Sequence, residues 1–439
     1  MSTFSIDFRW LERSHGSPVE RSTLAELTIM ARGYLATEVD DVRARTVRPD
    51  IRVSAHTLAG WFAANWWRLR WEPERNSLSW RLSHEMGACG EGYLWPDLTF
   101  SSDGDNIFLH ARASSPLSGE PIRYLNSFDV SVPATDFERG VDNFLDAVIG
   151  RLTSTVETDG LIDLWEEVRE ERRDPEIAAW RKLEAMMGCD PDEAPGALMA
   201  ALREEGQKYG MAAVEEIAAD SGQDVLRDIR NLCDGPRKEA ALMTVPDPGK
   251  LRTGLEDVRN DGLLPWERAG LAARLARETW SLGPGPVENH RLADLFSAPR
   301  GFLEQGPGLV GPMNAGFRNG TRDTLSVFIR TPIPSNRRFA LLRLVADHLW
   351  GPPEDTLLPA TRHSRTQRQK FQRAFAQEFL CPYSELMEYF GSGEATDDAM
   401  EDAARHFDVS PLVVKTVLVN KGEVDRNRFG ADLAHTATV

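Results

Sequence analysis

Six of the 12 tryptophans crowd into residues 61–95: Trp61, Trp66, Trp67, Trp71, Trp80 and Trp95. Rings of that size carry more apolar area than any other side chain, so such a stretch implies either a packed core or a binding surface, and core is the expectation. Trp61, Phe62, Trp66 and Trp67 fall on two sides of a helix read over 56–70, which suits a helix wedged between layers. A chain of 439 residues exceeds one ordinary core, so two or three domains are expected. Its 41% apolar and 27% charged residues are the mix of a globular protein.

The pattern along the chain predicts an α+β, helix-rich, multidomain fold. Residues 1–155 mix both signals and read as an α/β N-terminal domain. A helix is expected over 22–36, a strand over 50–54, and strands over 94–100 and 106–112 joined by a hairpin turn at Ser101-Ser102-Asp103-Gly104-Asp105. A third strand is expected over 122–132. Phe137, Val141, Phe144, Leu145, Val148 and Leu152 then mark one face of a helix over 136–152. Residues 156–250 read as all-helical, with starts at Asp174-Pro175 and Asp190-Pro191. The Pro and Gly residues at 245–249 announce a linker over 251–262, before a last domain over 263–425 and a tail over 426–439.

Several classes are excluded or disfavoured. No apolar run approaches the length that spans a bilayer, and the start MSTFSIDFRW lacks a basic-then-apolar leader, so the expected place is the cytoplasm, with no membrane partner. Cys89, Cys189, Cys233 and Cys381 are far apart and form no C-x-x-C pair, which argues against a zinc ribbon or disulfide framework. A net charge of −17 repels phosphate backbones unless a local basic patch overrides it. One such cluster exists: Arg362, His363, Arg365, Arg368, Lys370 and Arg373, near a helix start. A solvated helix face is its ordinary reading; a site for phosphate, nucleic acid or an acidic partner is the alternative.

Two helices dominate the last domain. One is read from Asn336, with Ser335 as N-cap, through His348 and Leu349; the other runs from Thr366 to Cys381. Arg338-Phe339 opens the first, and Phe375-Ala376 followed by Leu380-Cys381-Pro382 closes the second. In this order and spacing they resemble the ImmA/IrrE family of bacterial zinc peptidases, over 263–424. The residues from Val409-Ser410 to Asn420-Lys421-Gly422 resemble that family's closing helices. The resemblance implies a zincin-like helical domain in which an H-E-x-x-H helix and a later helix hold zinc.

The metal chemistry does not follow. In register, the first histidine position is Arg343, the glutamate position Leu344, the second histidine position Asp347 and the third-ligand position Gln369. Arginine repels a cation and leucine cannot act as a base, so no metal, no cofactor and no catalytic residue are expected. An Arg343–Asp347 pair at i, i+4 is expected in place of the metal. The resemblance then implies a non-catalytic regulatory protein that binds another protein, in mobile-element control or phage defence. Two rivals remain: a metallopeptidase with unorthodox ligands such as Asp347, His348 and Glu378, and a nucleic-acid-binding component using the basic cluster.

His84-Glu85 begins an H-E-x-x-H motif, but Ala88 stands at the second ligand. The apolar helix read over 412–419 carries only Lys415 as a basic group, so it reads as core and not as a DNA-reading helix.

Overall fold

Ala25, Leu27, Ile29 and Ala31 are all buried, a period of two that belongs to a strand. The expected helix over 22–36 is thus corrected. A short helix, α1 (Pro18–Thr23), gives way to strand β2 (Leu24–Ala31), which pairs antiparallel along its length with β1 (Phe4–Trp10). Pairing and burial of one face override a stretch whose apolar spacing also allowed a helix.

The computed structural model describes residues 3–12, 16–117, 119–154, 160–259, 263–304, 310–320, 323–391 and 393–429. It is a mixed α+β, helix-rich fold with several small antiparallel sheets, and the chain divides into two compact units, Met1–Pro195 and Gly196–Val439. The tail expected over 426–439 lies outside the described residues beyond Phe429. Among the described residues no helix is long and apolar enough to cross a membrane.

In the first unit β1, β2, β3 (Tyr34–Leu35) and β6 (Ile51–Ser54) form one sheet. The stretch expected as one strand over 122–132 is two. β9 (Ile122–Tyr124) joins β4 (Val39–Asp41) and β5 (Thr46–Arg48), while β10 (Phe128–Pro133) joins β8 (Asn106–Arg112) and β7 (Asp97–Ser102). Helix α5 (Ala134–Thr153) buries Phe137, Val141, Phe144, Leu145, Val148 and Leu152, the face read from spacing. The tryptophan-rich segment forms α2 (Ala55–Ala64), α3 (Trp66–Trp71) and α4 (Leu78–His84). Trp61, Trp66, Trp67, Trp80 and Trp95 are buried. Trp66 stacks on Phe137 and meets Trp165 of α6 (Gly160–Arg173) edge-on at 5.5 Å. Gly140 lets the Phe4 ring of β1 approach α5 closely, because a Cβ there would lie 2.6 Å from it. Helix α7 (Pro175–Met187), capped by Asp174, completes the unit. The segment read as one helical region over 156–250 is thus shared: α6 and α7 belong to the first unit, and α8 (Gly196–Tyr209), α9 (Met211–Ser221) and α10 (Val225–Asp234) to the second.

In the second unit β11 (Ala241–Thr244), β13 (Thr324–Phe328), β12 (Asn314–Arg318) and β14 (Leu357–Ala360) form a sheet in that order. The linker expected over 251–262 is largely helix: α11 (Pro248–Arg259) buries Leu251 and Leu255. The Pro and Gly residues there start a helix and do not interrupt the fold. α12 (Pro265–Thr279) and α13 (Asn289–Leu295) lead to the two long helices, α14 (Pro334–Trp350) and α15 (Gln367–Leu380). α15 packs against both α12 and α14. α14 starts earlier than expected, with Pro334 in its first turn and Ile333 at the N-cap, so Ser335 is not a cap. Thr366 does cap α15, accepting from the Gln369 amide. α16 (Tyr383–Phe390), α17 (Asp397–Phe407) and α18 (Pro411–Asn420) close the unit, and α18 buries Val413, Val414, Val417 and Leu418.

Candidate functional site

α14 and α15 meet through Leu342, Ala346, Leu349, Phe371, Phe375 and Phe379, all buried as their spacing predicts. Phe375 lies between Phe371 and Phe379, with ring centroids 6.4 and 5.8 Å away. The same spacing would also bury Phe339, but that ring only packs against the edge of the core and stays half-buried. Arg338, at the start of the resemblance, is buried and donates to the Asp408 carboxylate and the Val287 carbonyl. It pins α14 to the turn between α17 and α18.

Of the four positions that the resemblance would align with a zinc site, Arg343, Asp347 and Gln369 make buried polar bonds and Leu344 does not. The expected Arg343–Asp347 pair is not among these bonds. Asp347 instead accepts two bonds from Arg368, at 2.6 and 2.8 Å, and Arg368 donates a third to Asp355 at 2.6 Å. Arg343 donates to the Gln369 side chain at 2.6 Å and the Thr361 carbonyl at 2.9 Å. A long side chain from α14 reaches across to α15 more readily than along its own helix when buried acceptors wait there. Gln369 also donates to Glu216 at 2.9 Å and to the Pro359 carbonyl at 3.0 Å, and the Thr366 hydroxyl donates to Glu216 at 2.6 Å. Leu344 is fully buried among apolar neighbours.

These residues do not fit a zinc ion. Arg343 brings a positive charge, Leu344 no donor, both Asp347 oxygens are engaged by Arg368, and the Gln369 carbonyl oxygen is taken by Arg343. Of the unorthodox set, Glu378 is engaged by Arg274 at 2.9 Å and lies ten residues along α15 from Asp347's partner Arg368. Among the described residues no three His, Cys, Asp or Glu side chains are grouped as a metal ion would need.

Burial and ion pairing compete within the network. Despite the cost of burial, Asp347 and Asp355 hold the Arg368 guanidinium charged, with its pKa raised. Burial pushes the Glu216 carboxyl up, against the pull of Arg368, Thr366 and Gln369. Burial likewise outweighs Arg368 at Asp355 and raises its pKa from 3.8 to about 6. Among the described residues its Oδ1 has no hydrogen-bond partner, and it faces Gly210, whose φ of +101° and missing Cβ admit the close approach. Since the folded pKa lies above the unfolded one, Asp355 favours folding fully below about pH 4, and that contribution is lost as pH rises through about 6. The shift corresponds to roughly 2–3 kcal/mol. Asp355→Asn should therefore flatten the fall in melting temperature between pH 4 and 6.5, and an unchanged pH profile in the variant would exclude Asp355 as its source.

The basic cluster divides. Arg368 and Lys370 are buried, contrary to a solvated face, and Arg368 belongs wholly to the ion-pair network. Arg362, Arg365, Lys370 and Arg373 line one cavity of about 250 Å³ together with His363 and, across it, Val409, Leu412 and Val413 at the start of α18. A second cavity, of about 470 Å³, is lined by Arg330, Arg343 and Arg362. Asn336, Phe339 and Arg362 are common to both walls, and among the described residues no Asp or Glu lines either. Behind the wall, Asp220 accepts the backbone amides of Arg362, His363 and Ser364 at 3.3, 2.6 and 2.8 Å, which fixes the loop bearing the cations. Arg373 braces the same loop by donating to the Ser364 and Arg362 carbonyls.

Glu216, Asp220 and Asp355 were not visible as site residues in the sequence. One signal was present: Glu216 and Asp220 share a helical face with Ala213 and Ile217, so two carboxylates project from the buried side of α9. Elsewhere, the His84 ring is fully buried and stacked on Trp80, its Nδ1 sits 2.8 Å from the Trp80 carbonyl, and burial pushes its pKa down to about 3. It is a core histidine. Two of the arginines beside the exposed edges of the tryptophan cluster are likewise spent, Arg172 on Asp142 and Trp66 and Arg70 on Glu138 and Trp71. Compared with protein-family models, curated proteins and solved structures, the chain shows no match.

Proposed function

We propose that this chain is a non-catalytic regulatory protein that binds another protein and is built on a degenerate, zincin-like domain of the ImmA/IrrE kind. The observation that carries the reading is the Arg368–Asp347–Asp355 ion-pair network with its Arg343–Gln369 extension. These bonds engage Arg343, Asp347 and Gln369, where the resemblance would put two imidazoles and a third ligand, and apolar Leu344 stands where it would put the carboxylate base. A peptidase needs a group that polarises the scissile carbonyl and a base that activates water. Arg343 could do the first in part, but Leu344 cannot do the second. The same bonds tie α14, α15 and β14 together without metal, so the domain can keep its fold while lacking the chemistry. Control of mobile elements or phage defence is the setting that the resemblance supports.

The test measures hydrolysis and metal together. The full-length protein, purified with zinc present, is expected to hold far less than one zinc per chain by elemental analysis. It should leave unstructured peptide substrates uncut, with or without a chelator. A protein partner cross-linked in the native host and identified by mass spectrometry should still bind the purified chain in chelator. Cleavage of that partner or of a peptide, abolished by the chelator, would overturn the proposal.

A further inference from the structure

On a chain of net charge −17, the two adjoining cavities beside α14 form a cationic basin. Burial holds Arg330 and Arg373 below the ordinary arginine range, with Arg362 adding to it at Arg330 and Asp220 opposing it at Arg373. An anion bound among these side chains would favour their charged forms. The guanidinium fork favours phosphate oxygens, which it can meet with two parallel bonds. Between the cavities stands Phe339, half-buried, the one ring common to both walls. An aromatic face next to forked cations is the chemistry that holds a nucleobase and its phosphates. The cavities are compact, at about 250 and 470 Å³, and suit a small ligand better than a tracked polymer.

We infer that this basin is an effector site for a nucleoside phosphate, with the base on Phe339 and the phosphoryl groups on Arg362 and its neighbouring cations. Arg343 lines the second cavity and also bonds Gln369, so a phosphate there touches the network that ties α14 to α15. The loop bearing Arg362 is set in advance by Asp220, so little ordering entropy opposes binding. The site is independent of the non-catalytic reading, and either could fail alone.

Isothermal titration calorimetry on the full chain tests it with ATP, GTP, their di- and monophosphates, adenosine and inorganic tripolyphosphate. At least one nucleotide should bind saturably, and at least ten-fold more tightly than adenosine or tripolyphosphate. Arg362→Glu alters an exposed side chain and should weaken that nucleotide at least ten-fold with an unchanged melting temperature. Phe339→Leu keeps the apolar contact with the core but removes the flat ring; it should weaken the nucleotide several-fold and leave tripolyphosphate as it was. The inference is overturned if no mononucleotide binds, if tripolyphosphate binds as tightly as the nucleotides, or if Arg362→Glu has no effect. A single-stranded oligonucleotide or an acidic peptide that binds where every mononucleotide fails would also overturn it.

Discussion

Arg368→Ala is expected to destabilise the C-terminal unit by about 3–5 kcal/mol. Arg368 is 7% exposed and is the cation between Asp347 and Asp355, which are 1% and 0% exposed. Its removal leaves two buried carboxylates facing each other, with Glu216 near by, and desolvation that the guanidinium had offset becomes uncompensated. Replacing all three members together, as Arg368→Met, Asp347→Leu and Asp355→Leu, should cost much less than the single change, because no charge is then stranded. Urea unfolding followed by amide hydrogen exchange in α14 and α15 reads the C-terminal unit on its own. A loss below about 1 kcal/mol for Arg368→Ala would mean that the network contributes little to holding these helices.

Phe375→Ala is the second large effect, at roughly 3–5 kcal/mol. Phe375 is 1% exposed in the middle of three rings stacked along α15, so truncation leaves a cavity between α15 and its neighbours that the stiff helices cannot close. Phe375→Leu should recover more than half of the loss. If instead the alanine variant melts within a degree or two of the parent, the α14–α15 packing is not the heart of the unit.

The parts that were legible in the sequence are those where one local period decides the structure. The stripe from Phe137 to Leu152 specifies α5, and Phe371, Phe375 and Phe379 specify the inner face of α15, because burial follows helical spacing there. The stretch 22–36 misleads because Leu24, Leu27 and Ala31 also match a helical period, and only pairing with β1, outside any local window, selects the strand. At the candidate site, the sequence located Arg343, Asp347 and Gln369 but not their bonds. Asp347 is bonded across helices to Arg368, 21 positions on, and Gln369 to Glu216, 153 positions back. Local spacing favours i, i+4 pairs and carries no information on either. Phe339 shares the helical spacing of Leu342, Ala346 and Leu349, yet the cavities beside α14 leave its ring half open.

The bond between Glu216 and Gln369 also bears on how the chain is made. At synthesis rates of about 5–20 residues per second, α9 leaves the ribosome on the order of ten to thirty seconds before α15 exists. Through that interval Glu216 and Asp220 lack their folded-state partners, since neither the Gln369 and Thr366 donors nor the amides of 362–364 have been made. Withdrawing Glu216 from water early would require it to take up a proton, because burial raises its pKa. Burying that face of α9 before α15 arrives is therefore costly, and the nascent half of the unit lacks this seal until then. Closing it means drawing in a loop of more than a hundred residues, a slow step late in the life of the nascent chain.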